Sequence, residues 1–240
     1  MIKTKEEIFS LLWDNGKKRM NGWWKDLLFD VYEVIDGYQK ENNIKGNIAE
    51  IGIFEGRSLI PLANFRSDGE LVIGMDNGKW VEDRRYEKYL NEAYGETDDI
   101  KLFFESSKNT KRYLDYKPYR MFYVDGDHST EMTLNDLEVA QEVMSEGGII
   151  FLDDYRNAKH GRNICKAIDF FLSKHSDLNV AFTSGETMFI TKNEMVKEYN
   201  NLLNEKLHDW IITKDKVYGQ LNNFVHPSGY LNYSVKLNKA

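Results

Sequence analysis

The chain has 240 residues, 41% of them hydrophobic and 30% charged, with a formal net charge of −7 and a single cysteine, Cys165. That balance suits a folded globular chain and argues against disorder and against nucleic acid as the main partner. One cysteine excludes an intramolecular disulfide and a cysteine-cluster metal site. The longest apolar runs, such as Gly148–Leu152, fall far short of the roughly 20 residues of a membrane span.

In chain order, the opening Met1–Glu7 lacks the apolar core of a signal peptide, so a cytoplasmic protein is expected. Trp24, Leu27, Leu28, Val31, Ile35 and Tyr38 recur at helical spacing over residues 21–40, with Asn21 as candidate cap. This reads as a covering helix; the alternative is a lid over a substrate site using Trp23 or Trp24. From residue 47 short apolar runs alternate with amphipathic stretches. Residues 47–52, 71–76, 100–105, 120–125 and 148–153 read as five strands. A helix with Leu134, Leu137, Ala140 and Met144, stopped by Gly147-Gly148, separates the last two. A second helix carries Ile164, Ile168, Phe171 and Leu172. Residues 178–183 and 187–191 form a hairpin around Ser184-Gly185-Glu186. A lysine- and asparagine-rich tail starts with a helix near Glu194–Trp210 and becomes irregular over 223–230. Alternating strands and helices imply an α/β fold with a mostly parallel sheet covered on both faces. The division expected is an N-terminal helical cover (1–45), a core (46–192) and a C-terminal helix and tail (193–240).

Ligands of such sheets sit at the carboxyl ends of the strands. The first strand ends at Glu50-Ile-Gly52, and Gly52 and Gly56 let the backbone turn tightly into a following helix. The Gly-x-x-x-Gly spacing is not the Gly-x-Gly-x-x-Gly of pyrophosphate clamps. A ligand whose anionic group is a carboxylate fits better. Ser58 would add a hydroxyl donor, Asp76 would accept from ribose hydroxyls, and Glu50 would face a cationic group.

Together these residues resemble the class I S-adenosylmethionine-dependent methyltransferases. The resemblance over residues 47–191 implies a Rossmann-like seven-stranded sheet in the order 3-2-1-4-5-7-6 and S-adenosylmethionine as methyl donor. It also implies an adenine contact at Glu105 and Ser106.

The most informative stretch is Tyr123-Val-Asp-Gly-Asp-His-Ser129 with Gly147-Gly-Ile-Ile-Phe-Leu-Asp-Asp154. If the fourth and fifth strands are neighbours, Asp125, Asp127, Asp153 and Asp154 crowd one sheet edge beside the donor. Such crowding is costly unless protons or a cation relieve it; otherwise these acids cap turns and helices. The Asp-Gly-Asp-His and Asp-Asp pairing is similar to the macrocin O-methyltransferase-like branch, which modifies sugar and antibiotic hydroxyls. Residues 120–155 carry the likeness, the helix at 161–172 supports it, and Thr130 stands where that branch often has an aromatic. The resemblance implies that Asp125, Asp153 and Asp154 hold Mg²⁺ and that Asp127 is the general base. His128 is a second candidate base, or orients a neighbouring carboxylate.

His160, His175, His208 and His226 lack ligand spacing and read as structural or solvated. The mixed-charge run 82–88, with Arg84 and Arg85, reads as a solvated helix face, and Trp80 as packing or a cover. The expected function is Mg²⁺-dependent O-methylation of a sugar, glycoside or related small metabolite. The alternatives are a metal-independent O- or N-methyltransferase using Asp127 or His128, and a non-catalytic donor-binding or assembly protein. Neither nucleic acid nor membrane is an expected partner, and a homo-oligomer is compatible with the sequence.

Overall fold

The computed structural model describes residues 3–14, 17–22, 24, 27–79, 85–109, 113, 115–213, 220–225 and 231–236. Seven strands form one sheet: β1 (Asn47–Ile51), β2 (Val72–Asp76), β3 (Ile100–Phe104), β4 (Tyr119–Val124), β5 (Met144–Leu152), β6 (Leu178–Ser184) and β7 (Thr187–Lys192). Their order is β3-β2-β1-β4-β5-β7-β6, the one implied by the sequence. β3, β2, β1, β4 and β5 run parallel, while β7 is antiparallel to both β5 and β6.

Period-two alternation gives the sheet two cores. Ile48, Met121, Tyr123, Ile149 and Phe151 face one way, toward α2 (Leu27–Glu41) and the N-terminal residues. Ala49, Ile51, Phe122, Val124, Ile150 and Leu152 face the other, toward α5 (Thr130–Val143) and α6 (Gly161–Lys174). Every residue of β4 is buried. A strand covered on both faces has no polar side, which is why it reads as apolar from Met121 to Val124, with Arg120 the charged exception.

Ahead of the sheet, α1 (Lys5–Leu12) starts with a capping box in which Thr4 and Glu7 each accept from the other's backbone. Short α3 (Leu59–Ala63) follows the first glycine turn, α4 (Arg85–Tyr94) precedes β3, and α7 (Asn193–Thr213) follows β7. Two two-stranded ribbons, Trp13–Asp14 with Lys17–Lys18 and Gln220–Val225 with Leu231–Lys236, share no ladder with the sheet, and Leu231–Lys236 lies against β6.

At the amino ends of the strands, Arg120 fastens α2 to β4. It is 1% exposed and donates to Glu70 at 2.9 Å, Gln39 Oε1 at 2.8 Å and the Phe65 carbonyl at 2.7 Å, with Asp36 at 2.9 Å. A buried guanidinium is stable only when paired in this way.

Three expected boundaries move. The helix placed at 21–40 begins at Leu27, and Asn21 is not its cap: its backbone and side-chain N–H groups bond the Glu55 carboxylate at 2.9 and 2.7 Å. Gly147-Gly148 does not stop the helix, which ends at Val143. β5 begins at Met144 and runs through both glycines, with its register to β4 shifting there. Residues 223–225, read as irregular, belong to a strand. Trp23, Trp80, Arg84 and 226–230 lie outside the described residues.

Candidate active site

The carboxyl ends of β1, β2, β4 and β5 converge on one edge. The chain leaves β1 through Gly52 at φ +90°, a left-handed value that glycine accepts at little cost. The neighbouring strand also needs this glycine: a Cβ at residue 52 would lie 1.9 Å from the Asp125 carbonyl oxygen. Gly52 therefore admits the β4 loop, and with it Asp125, to the centre of the edge. Asp125 N–H completes the junction by donating to the Ile51 carbonyl at 2.9 Å.

Glu50 is fully buried on β1. Its Oε1 accepts from Ser58 Oγ, so the Ser58 hydroxyl is directed at Glu50. Its Oε2 has no hydrogen-bond partner. Burial first, then the negative charges of Asp125, Asp76 and Asp153, push its pKa well above the usual carboxylate range, against the bond from Ser58. Asp76 ends β2 and pins the glycine turn, accepting from Phe54 N–H at 2.9 Å and Gly78 N–H at 2.8 Å. Phe54 itself sits at φ +44°, costly for a side chain with a Cβ and held by this bond. Beyond β3, Glu105 accepts from Asn109 Nδ2, and Ser106 Oγ accepts from Lys108 N–H at 3.3 Å. Phe104, 42% exposed at the end of β3, borders the same corner and packs on Tyr86 at 5.1 Å between ring centroids.

The acidic residues after β4 and β5 separate into three kinds. Asp125 and Asp154 converge with His128, each offering a ligand atom within 4.8 Å of the others. His128 Nε2 lies 3.0 Å from Asp154 Oδ2 and 3.6 Å from Asp125 Oδ1. The first is an ion pair, and the second lies beyond hydrogen-bond distance. Asp154 is held at φ +57°, with Oδ1 accepting from Asn157 Nδ2 at 3.1 Å, which leaves Oδ2 turned to the histidine.

Asp153 points elsewhere. Its Oδ2 accepts from Tyr123 Oη at 2.8 Å and its Oδ1 from Thr187 Oγ1 at 2.8 Å, so it ties β5 to β4 and β7. The structure thus brings together two of the three acids singled out for a metal, and puts His128 with them. Asp127 is exposed and caps the turn into α5, accepting from Ser129 N–H at 2.8 Å. Hydrogen bonding to Ser129, its hydroxyl first and its backbone N–H second, holds the Asp127 pKa below the usual range.

The Asp125 carboxylate first, then that of Asp154, raise the His128 pKa to about 10. Desolvation first, then its acidic neighbours, raise Asp125 to about 7. His160, read as ordinary in the sequence, stacks on His128 with centroids 4.3 Å apart. The two histidines stand 32 positions apart on different segments, so no local spacing links them. Gly56, at φ +83°, and Ser58 lead into α3, which is only five residues long; this is a tight turn rather than a long helix N-terminus.

The chain's similarities agree with this architecture. Residues 49–155 match a family model described as a methyltransferase domain. No curated protein matches significantly. Among solved structures, the O-methyltransferase NovP aligns at 15% identity and TM-score 0.58, covering 69% of this chain and 79% of its own. An O-methyltransferase from Bacillus cereus in complex with S-adenosylhomocysteine aligns at 15% identity and TM-score 0.57, covering 79% and 90%. CalS11, a TDP-rhamnose 3'-O-methyltransferase of calicheamicin biosynthesis, aligns at 20% identity and TM-score 0.52, covering 77% and 91%. At such identities the structural likeness concerns the fold. Together with the match of residues 49–155 to a methyltransferase domain, across the glycine turn and both acidic loops, it shows the fold of the Rossmann-like methyltransferases.

Proposed function

We propose that the protein transfers a methyl group from S-adenosylmethionine to a hydroxyl of a sugar, glycoside or similar small metabolite, with a divalent cation at the acceptor. The observation that carries this reading is the convergence of Asp125, His128 and Asp154 within 4.8 Å, at the strand ends beside the Gly52 turn. Two carboxylate oxygens and an imidazole nitrogen gathered around one point fit a cation. A cation bound there would supply a Lewis acid that lowers the pKa of an acceptor hydroxyl. The resemblance names Mg²⁺ for this role, and the sugar-methylating activity of CalS11, on the same fold, supports the acceptor class.

The chain's own residues divide the remaining work. Glu50 turns its unpartnered, buried Oε2 toward the ammonium of the donor, with Ser58 fixing the carboxyl orientation. Asp76, already holding the turn through two backbone bonds, has lone pairs left for the ribose hydroxyls. Gly52 and Gly56 would leave room for the donor, Glu105 and Ser106 would meet its adenine, and Asp125 would stand at the strand edge beside it. The donor's sulfonium is a strong electrophile, so the protein's contribution is orientation and acceptor activation.

For proton removal the geometry favours Asp127 over His128. His128 is already paired with Asp154 at 3.0 Å. Asp127 is exposed beside the same loop, and its lowered pKa suffices once the acceptor hydroxyl is acidified.

The test is methyl transfer to a panel of nucleotide sugars and glycosides in EDTA, then with divalent ions restored. Chelation is expected to abolish turnover. Full activity in EDTA would remove the metal, and turnover only on amines would remove O-methylation. S-Adenosylhomocysteine binding by calorimetry checks the donor site independently of both.

A further inference from the structure

We propose that Asp136, on α5, is a positioning residue for the adenine end of the donor site: its buried carboxylate ties the loop after β3 to the loop after β4 and so sets the slot that takes the base. This inference rests on the donor-binding part of the reading above, which puts the base at Glu105 and Ser106. It adds a residue that acts on the base through these two loops.

Asp136 is 1% exposed, on a helix face shared with buried Thr133, Leu137 and Ala140. A carboxylate is a costly way to fill such a face unless its oxygens are used. Its Oδ1 accepts from Asn135 Nδ2 at 3.0 Å, and the Ser107 side chain bonds the same carboxylate. Asn135 Nδ2 also reaches the Ser107 carbonyl at 3.4 Å. Two adjacent side chains of α5 thus hold Ser107, the residue that follows Ser106.

The other oxygen, Oδ2, meets the other loop. A Cβ on Gly126 would lie 2.9 Å from Asp136 Oδ2 and 2.9 Å from Ile51 Cγ2, so the backbone between Asp125 and Asp127 rests directly on Asp136 and on β1. Thr133 Oγ1, one turn earlier on α5, donates to the Asp127 carbonyl at 3.3 Å. Burial lifts the Asp136 pKa to about 6 against the bonds from Ser107 and Asn135, with the charge of Asp127 adding to the rise. One carboxylate therefore reaches both loops, and the glycine at 126 lets it come so close.

The spacing matters because a flat base gains contact only from walls on both sides. Carbon contacts are best at roughly 3.5–4.0 Å, and a gap of about 0.5–1 Å forfeits roughly a quarter to a half of the attraction. With the ribose at Asp76, the base extends to the place where these two loops meet.

The experiment uses the full chain and two probes, S-adenosylhomocysteine and methylthioadenosine, which keeps base and ribose but lacks the amino-acid end. Affinities are read by calorimetry, and thermal denaturation shows which variants are folded. Asp136→Ala should weaken both probes by the same factor, at least about tenfold, the loss of bonds to a buried carboxylate. Glu50→Gln should weaken S-adenosylhomocysteine alone. Ser107→Ala should weaken both probes by a smaller factor, and should add almost nothing on top of Asp136→Ala, as residues acting through one contact do.

A merely structural Asp136 would lower Tm and leave both affinities at the wild-type value; that result in folded Asp136→Ala overturns the proposal while the donor reading stands. So does a loss confined to S-adenosylhomocysteine, which puts the effect at the amino-acid end. Where Asp136→Ala does not fold, Ser107→Ala decides, and unchanged methylthioadenosine affinity overturns the proposal. If the wild-type chain binds neither probe, the donor reading and the proposal fall together.

Discussion

Gly52 carries two constraints at once, a left-handed backbone and a strand-end carbonyl where a Cβ would go. Gly52→Ala is expected to cost about 3 kcal/mol and to lower Tm by roughly 6–10 °C, read by thermal denaturation. Glu50 separates stability from function. Its folded pKa is raised, so over the pH range above the ordinary carboxylate pKa the native state binds more protons than the unfolded chain. Stability attributable to this group therefore falls as pH rises through that range. Glu50→Gln should flatten that fall in pH-dependent unfolding while weakening S-adenosylhomocysteine by roughly 10–100-fold, the loss of a charge-assisted bond. Unchanged affinity would remove Glu50 from the donor site.

The N-terminal segment is tied to the donor turn by charged groups rather than by apolar packing alone. Arg57, 2% exposed and one residue past Gly56, donates to the carbonyls of Leu12 at 3.2 Å and Met20 at 3.1 Å, and lies 4.4 Å from the Trp13 ring. Asn21 holds Glu55 from the same turn. Arg57→Ala should release α1 and the ribbon after it. Hydrogen exchange over residues 5–22 is expected to rise by at least about tenfold, with the amides of β4 and β5 unchanged. Equal loosening of β4 would show that Arg57 supports the whole sheet instead. None of this was legible in local spacing. The capping box at Thr4 and Glu7 does mark the first helix, but Arg57 and its acceptors are 45 and 37 positions apart in the chain.

At the scale of the molecule, the catalytic edge and the opposite end of the sheet are held by different chemistry. The carboxyl end gathers Glu50, Asp76, Asp125, Asp153 and Asp154. The amino end is closed by buried Arg120 among Asp36, Glu70, Gln39 and the Phe65 carbonyl, joining α2, β4 and the loop after α3. Removing Arg120 unpairs the cluster: Arg120→Ala is expected to cost about 3 kcal/mol in urea unfolding, because it leaves Glu70 without its cation and Asp36 with Lys40 alone. A loss below about 1 kcal/mol would mean that water reaches them. Among the described residues no helix is long and apolar enough to cross a membrane.

The sequence by itself determined the architecture, because a parallel sheet covered on both faces writes itself as apolar runs separated by amphipathic helices. Those runs marked the strands, and the strand order followed from the resemblance that the glycine turn and the strand-end acids carry. It overreached where a glycine pair served a strand instead of a helix end, since Gly147 and Gly148 look alike in either role. Only the tertiary structure decided what each acid does. Asp153 and Asp154 are adjacent in the chain, yet the left-handed turn at Asp154 sends one carboxylate to Tyr123 and Thr187 and the other to His128. Side-chain direction at a strand end depends on backbone dihedrals and on partners from other strands, and neither is encoded in the spacing of the residues themselves.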